Sequence, residues 1–142
     1  MVDVLVERVI RRPRSEVAAY VINPGNAPEW YENIKEVQWQ PPLELGSELA
    51  FGAQFLGRRL EYIYIVRELI PGARLVMSTA QGPFPMETTY EFADSGEGAT
   101  RMTLRNRGEP AGFKRMAAPL LSRALRRANE QDLRRLQALL ER

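Results

Sequence analysis

Residues 111–141, which read AGFKRMAAPLLSRALRRANEQDLRRLQALLE, decide the fold of this chain. Apolar side chains recur in this stretch at spacings of mostly three and four: Phe113, Met116, Ala117, Leu120, Leu121, Ala124, Leu125, Ala128, Leu136 and Leu140. This spacing predicts one long amphipathic helix. At 1.5 Å per residue, about thirty residues span roughly 45 Å, enough to cross a small domain. Because proline is tolerated in a first turn, the regular helix is expected to begin near Pro119.

The chain before this helix alternates between strand-like runs and clusters of turn residues. The runs cover residues 2–10, 34–40, 48–55, 58–70, 74–80, 86–93 and 100–107. Short breaks rich in proline, glycine and aspartate separate most of them, which predicts an antiparallel meander. After the first run, Ser15 is expected to cap a short helix that ends at residue 20 or 21. The proline-rich residues 23–28 then lead through a turn or a second short helix to Trp30 and Tyr31.

One helix can cover a sheet of about seven strands only if the sheet bends around it. The apolar parity of each strand predicts which side chains face inward: Leu49, Phe51, Ala53, Phe55, Tyr62, Tyr64, Val66, Leu75, Met77, Tyr90, Phe92, Met102 and Leu104. In the strand Arg58–Ile70 the inward face is ambiguous, because Ile63 and Ile65 on one face are apolar as well as Tyr62 and Tyr64 on the other. We predict an α+β chain with a curved antiparallel sheet, two short helices after the first strand, and a single domain over residues 1–142.

Composition excludes several kinds of chemistry. The chain has no cysteine and no histidine, so it has no disulfide or thiolate site and lacks the commonest metal ligand and general base. No paired inward carboxylates, nucleophile elbow or phosphate-binding glycine loop is found, and we expect no metal and no cofactor. The longest apolar runs are too short to span a membrane and no leader is recognised, which predicts a cytoplasmic protein.

Charge is distributed unevenly along the chain. Residues 1–100 hold 9 basic and 14 acidic side chains, whereas residues 101–142 hold 11 basic and 4 acidic ones. Arginines on a long amphipathic helix usually form its solvated face, and this is the preferred interpretation. Peripheral contact with anionic lipid is the alternative. Binding of nucleic acid is disfavoured, because the basic helix lacks the interleaved aromatics of a stacking surface.

The order of strand, short helices, six-stranded meander and long helix resembles the START-like, or polyketide cyclase/dehydrase (SRPBCC), superfamily with its helix-grip fold. The resemblance covers essentially the whole chain. Locally it is carried by residues 10–17, Asn23-Pro24 with Pro28-Glu29-Trp30, residues 66–75, residues 98–103 and the terminal helix. The resemblance implies a cavity between sheet and helix for lipids, hormones, polyketides or other apolar molecules. Some members of the superfamily are cyclases or hydrolases.

The candidate pocket residues are mainly aromatic, methionine and helix-stripe positions. They are Trp30, Tyr31, Phe51, Phe55, Tyr62, Tyr64, Met77, Phe84, Met86, Tyr90, Leu104, Phe113, Met116, Leu120, Leu121 and Ala124. Each has an alternative as an ordinary core residue. Tyr62, Tyr64 and Tyr90 are the preferred polar contacts, because a buried phenol needs a hydrogen-bond partner that a ligand oxygen can supply.

Three other polar residues fall on inward positions. Arg8 has the parity of Val4 and Val6, although a bulge that turns it to solvent is the preferred interpretation. Asn129 and Asp132 interrupt the apolar stripe of the helix, and they either reach the pocket or cap its solvent-exposed end.

The first functional hypothesis is a noncatalytic protein that binds or carries a small apolar or amphipathic molecule, as monomer or homodimer. The alternatives are an enzyme of cyclase, dehydratase or hydrolase type, which requires an ionisable group in the cavity, and an interaction module that acts through the arginine-rich helix.

Overall fold

A computed structural model describes residues 2–82, 85–109 and 118–142 of the chain. Strand β1 (Val2–Ile10) is followed by helix α1 (Arg14–Ile22), a 3₁₀ turn (Pro24–Asn26) and the short helix α2 (Ala27–Trp30). Six further strands and a long helix complete the order: β2 (Ile34–Gln38), β3 (Glu48–Phe55), β4 (Arg58–Ile70), β5 (Arg74–Gln81), β6 (Met86–Asp94), β7 (Thr100–Gly108) and α3 (Ala118–Leu140). Residues 111–117 of the expected helix lie outside the described residues.

All seven strands form one antiparallel sheet in the order β1-β7-β6-β5-β4-β3-β2. Strands β2 to β7 follow one another as a meander, and β1 pairs with β7 beyond the far end of it. Helix α3 packs against β1 and also contacts α2. The predicted helix-grip architecture, a curved antiparallel sheet around a long C-terminal helix, is therefore confirmed.

The alternation of buried and exposed residues, clearest in β1, places the core between the sheet and α3. In β1, Val2, Val4 and Val6 are buried while Asp3 and Leu5 are exposed. Helix α3 contributes Leu121, Leu133 and Leu136 to the same cluster. The arginines of α3 at 123, 126, 127, 134 and 135 are exposed, so the basic residues lie on its outer face. No helix in the described ranges is both long and apolar enough to cross a membrane.

The structure resolves the ambiguous parity of β4. Leu60, Tyr62, Tyr64 and Val66 are buried, whereas the side chains between them are exposed or half-buried. The pairing of β4 with β5 shifts register between Val66 and Glu68, so the alternation ends there. The tyrosines of this strand therefore lie on the concave face.

Arg8 lies on the inner face, so the preferred bulge is wrong. The pairing of β1 with β7 is continuous from Val2 to Ile10, with no register shift that would turn a side chain over. The guanidinium Nε of Arg8 donates to the side-chain oxygen of Gln137 on α3. A neutral amide at the end of the helix thus satisfies the inward-facing arginine.

Two local expectations near the helices and β2 are also corrected. Helix α1 begins at Arg14 after Pro13, with no side-chain cap, so Ser15 is not its capping residue. The Pro13 carbonyl instead accepts from the amides of Glu16 and Val17, at 3.0 and 3.1 Å. Strand β2 ends at Gln38 rather than at residue 40. Two prolines at 41 and 42 follow, and proline has no N–H to donate to a strand ladder.

Candidate functional site

A cavity of about 140 Å³ lies between the concave face of the sheet and helix α3. All seven strands and α3 contribute to its wall. The apolar part of the wall consists of Val2, Ile34, Phe51, Ala53, Phe55, Leu60, Met77, Met86, Leu121, Leu125 and Ala128. Side chains with polar atoms complete it: Tyr31, Asn33, Tyr62, Tyr64, Thr88, Tyr90, Asn106, Asn129 and Asp132. The cavity therefore combines an apolar body with several hydrogen-bonding groups, as small-molecule sites do.

Nine of the positions predicted from the sequence line this cavity. They are Tyr31, Phe51, Phe55, Tyr62, Tyr64, Met77, Met86, Tyr90 and Leu121. All of them except Tyr31, which follows α2, share the inward parity of a strand or of the helix stripe, and periodicity in the sequence reveals that parity. Contact of these side chains with a ligand stays a prediction.

The other predicted positions lie elsewhere. Trp30 and Leu104 are completely buried in the core and do not line the cavity, and Ala124 is half-buried outside its wall. Leu120 is 54% exposed and is not among the described residues that line the cavity. Consecutive helical residues differ by about 100° around the axis, and only Leu121 of this pair can face the sheet. The predicted positions Phe84, Phe113 and Met116 lie outside the described residues.

A pair of tyrosines forms one polar side of the cavity. The Tyr31 and Tyr90 hydroxyl oxygens lie 2.7 Å apart and share a hydrogen bond. The indole of Trp30 packs behind them, with its ring centroid 4.0 Å from that of Tyr31 and 5.8 Å from that of Tyr90. Burial raises the pKa of both phenols, and it raises the pKa of nearby Tyr64 to about 12. All three tyrosines are therefore neutral at pH 7.

A chain of hydrogen bonds leads from the sheet to the helix along the same wall. The Thr88 hydroxyl donates to Asn106 Oδ1 at 2.5 Å, and Asn106 Nδ2 donates to Asn129 Oδ1 at 3.0 Å. Asn129 in turn is hydrogen-bonded to the side chain of Asp132. Residues 129 and 132 are three apart on α3 and so share the face that meets the sheet.

Asp132 is the carboxylate at the end of this chain. Its side chain is only 2% exposed, and its Oδ1 accepts the backbone N–H of Glu32 at 3.0 Å. Burial raises the pKa of Asp132 from 3.8 to about 6, although the hydrogen bond from the Glu32 amide opposes this shift. The carboxyl group therefore changes charge in a mildly acidic range, within a largely apolar cavity.

Sequence reasoning weighed Asn129 and Asp132 but left their orientation open, and it missed Thr88 and Asn106. A signal for the missed residues was present. Asn106 continues the inward parity of Met102 and Leu104, and Thr88 has that of Tyr90. A polar residue on an inward position marks either a strand end or a buried polar group, and the structure shows that both are buried.

The site offers no ready metal centre. In the part of the chain that the structure describes, no three acidic side chains come together in a group that could hold a metal ion. What the wall offers instead is hydrogen bonding to a small organic molecule. Asp132 is an acceptor when ionised, and the tyrosine pair has a donor.

Comparison with solved structures supports the same architecture over nearly the whole chain. A START superfamily protein from Mycobacterium smegmatis is 16% identical, with a TM-score of 0.83 and coverage of 98% of this chain and 97% of that chain. A protein from Thermus thermophilus is 20% identical, with a TM-score of 0.80 and coverage of 96% and 94%. The Zhui aromatase/cyclase from Streptomyces sp. R1128 is 13% identical, with a TM-score of 0.80 and coverage of 99% and 93%.

The family assignment comes from the sequence, because structural likeness at such low identity shows the fold alone. The comparison with curated proteins gives no match. A family model described as "Polyketide cyclase / dehydrase and lipid transport" matches residues 1–141. The resemblance seen in the sequence is thereby confirmed, and the chain belongs to the polyketide cyclase/dehydrase and lipid-transport family.

Proposed function

We propose that this protein binds a small hydrophobic or amphipathic molecule in the cavity between its sheet and α3. One observation carries the proposal: a mainly apolar wall built from all seven strands and the helix surrounds a few convergent polar groups. Family and fold fit a hydrophobic ligand-binding domain. Burial of apolar ligand surface would supply most of the affinity, and the polar groups would fix orientation.

A paired substitution on α3 tests this proposal. Leu121→Trp places a larger side chain on the cavity wall, whereas Leu120→Trp makes the same change one residue away, where the side chain is 54% exposed. We expect Leu121→Trp to weaken ligand binding at least tenfold and Leu120→Trp to leave it within twofold. The measurement is native mass spectrometry of protein purified from its own host, followed by titration with whatever compound is extracted.

The outcomes are distinct. A stoichiometric compound lost only from Leu121→Trp supports binding in the cavity. A compound retained equally by both variants would place its site elsewhere on the protein. If no compound is carried along and a panel of hydrophobic molecules gives no rise in melting temperature, the binding proposal is wrong.

Asp132 favours catalysis in the same cavity as a second candidate function. The enzyme hypothesis required an ionisable group in the wall, and Asp132 is such a group, with a pKa of about 6. A carboxyl group with this pKa can exchange a proton with a bound substrate near neutral pH. An enzyme would be established if the wild type converts the extracted compound and Asp132→Asn binds the compound without converting it. Unchanged compound after prolonged incubation would count against one.

A further inference from the structure

The hydrogen-bonding capacity of Asp132 is only partly used by the protein. An ionised carboxylate has about four lone-pair positions and no donor. The Glu32 amide and the Asn129 side chain occupy two of them. Asp132 lines the cavity, and we take its remaining capacity to be open to a ligand there. That capacity can be satisfied only by a hydrogen-bond donor.

The tyrosine pair has the opposite requirement. Tyr31 and Tyr90 hold two hydroxyl protons, and their mutual hydrogen bond uses one. Within the described ranges, neither hydroxyl makes a second hydrogen bond. One O–H is therefore left to donate, and both residues line the cavity. A buried donor without a partner costs about 1–3 kcal/mol, so a ligand that supplies an acceptor here gains a corresponding advantage.

The cavity also limits the size of the ligand. An engineered cavity of about 150 Å³ in another protein binds benzene. The cavity of about 140 Å³ found here is close to that volume. One six-membered ring with a small substituent matches this volume, whereas a fused multi-ring skeleton or a long acyl chain would have to extend beyond it.

We infer that the ligand is a monocyclic phenol whose hydroxyl group donates to Asp132 and accepts from the Tyr31–Tyr90 pair. This inference rests on the proposed binding function and names its ligand class. A hydroxyl group is both donor and acceptor, so one such group meets both requirements. Asp132 lies near enough to the tyrosine pair for its charge to raise the pKa of both phenols. An ammonium group has no acceptor for the tyrosine proton, and a carboxylate would meet the like charge of Asp132.

Matched probes of one ring size test the inference. Wild-type protein at pH 7.5 is titrated with p-cresol, toluene and benzylamine, and with 1-decanol as a long-chain probe, by chemical-shift changes of the protein amides. We expect p-cresol to bind at least tenfold more tightly than toluene or benzylamine, and 1-decanol to bind no more tightly than toluene. These titrations use the wild type alone, so they do not depend on any variant folding.

Two variants then test whether the preference for p-cresol over toluene depends on the Asp132 carboxylate. Asp132→Asn can still accept the Glu32 amide through its side-chain oxygen, which turns an NH₂ donor toward the cavity. We expect the ratio of p-cresol to toluene affinity to fall to within threefold. Glu130→Gln removes an exposed carboxylate from the same helix and should leave the ratio unchanged.

The contrary outcomes separate the two proposals. If toluene binds as tightly as p-cresol, or if benzylamine binds best, the phenol inference is wrong while binding in the cavity stands. If 1-decanol binds and p-cresol does not, the size argument is wrong and the binding proposal again stands. If none of the four probes shifts residues of the cavity wall, the phenol inference is overturned, and the proposed function loses its support if the compound search is also negative.

Discussion

Asp132 links the pH dependence of stability to the cavity. Burial raises its pKa from 3.8 to about 6, so the folded protein holds this proton more tightly than the unfolded chain does. Its stabilising contribution is fully present below pH 4 and is lost as the pH rises through 6. A shift of this size corresponds to about 3 kcal/mol in the free energy of unfolding. Ionised Asp132 therefore destabilises the folded protein at neutral pH.

Comparison with Asp132→Asn isolates this effect. Hydrogen bonds lower the pKa of Asp3 and Glu141, so these two carboxyl groups change stability with pH in the opposite direction to Asp132. Around Asp132 itself, the charge of Glu32 raises its pKa, and the charge of Arg135 lowers it. In urea unfolding from pH 4 to 7.5, we expect the stability of the wild type relative to Asp132→Asn to fall by about 2–3 kcal/mol. A difference that stays flat with pH would mean that the carboxyl group is hydrated in the folded state.

At the scale of elements, most strands and the long helix follow from the sequence because they carry a clear period or are bounded by turn residues. The bounds predicted for β3 and β4 match the structure to the residue because turn residues separate these runs, and the stripe of α3 identified the terminal helix. The departures are local. Prolines at 41 and 42 shortened β2, and a proline rather than a serine precedes α1. Arg8 was misjudged because its partner, Gln137, is 129 residues away, and no local pattern reveals such a contact.

The close approach of β6 and β7 makes a glycine necessary at one end of the sheet. A Cβ atom added to Gly108 would lie 2.2 Å from the Pro85 carbonyl oxygen, which is a backbone atom and cannot swing aside. Because this steric conflict forces the backbone to shift, we expect Gly108→Ala to lower the free energy of unfolding by about 1–3 kcal/mol. The measurement is urea unfolding monitored by circular dichroism.

Gly52→Ala is the matched control, because it makes the same change inside β3. There the new Cβ meets the side chain of Glu36 at 2.7 Å, and that exposed side chain can move aside at the cost of its surface ion pair with Arg59. Alanine also loses less conformational freedom than glycine on folding. Gly52→Ala should therefore cost less than Gly108→Ala. The reverse order would show that the end of β7 relaxes more readily than the structure indicates.

At the scale of the whole molecule, sequence patterns predict which faces meet but not how much space is left between them. The inward parity of the strands brought seven of the predicted side chains to the cavity wall, and the helix stripe and the turn after α2 added Leu121 and Tyr31. The volume of the cavity depends on how strongly the sheet bends and on how far α3 stands from it, and both are set by the packing of the entire core. The buried chain from Thr88 to Asp132 likewise joins two strands and a helix. Such a network exists only once the sheet has closed on the helix.

A cavity in the core lowers the stability of the folded protein. Side chains that line it lack packing partners on one side and so lose dispersion contacts. If the cavity serves binding, a variant that fills it should gain stability as it loses function. We therefore expect Leu121→Trp, purified without ligand, to unfold with a free energy about 1 kcal/mol higher than the wild type.

Urea unfolding of both proteins, without ligand and with saturating p-cresol, measures the expected gain in stability and the expected loss of binding together. The ligand should raise the free energy of unfolding of the wild type by mass action and leave that of Leu121→Trp unchanged. The difference in stability between the two proteins should therefore narrow or change sign. Leu120→Trp should follow the wild type in both conditions, because residue 120 lies outside the cavity wall. A loss of stability in Leu121→Trp would indicate overpacking, which means that the space beside residue 121 is smaller than the volume of the cavity implies.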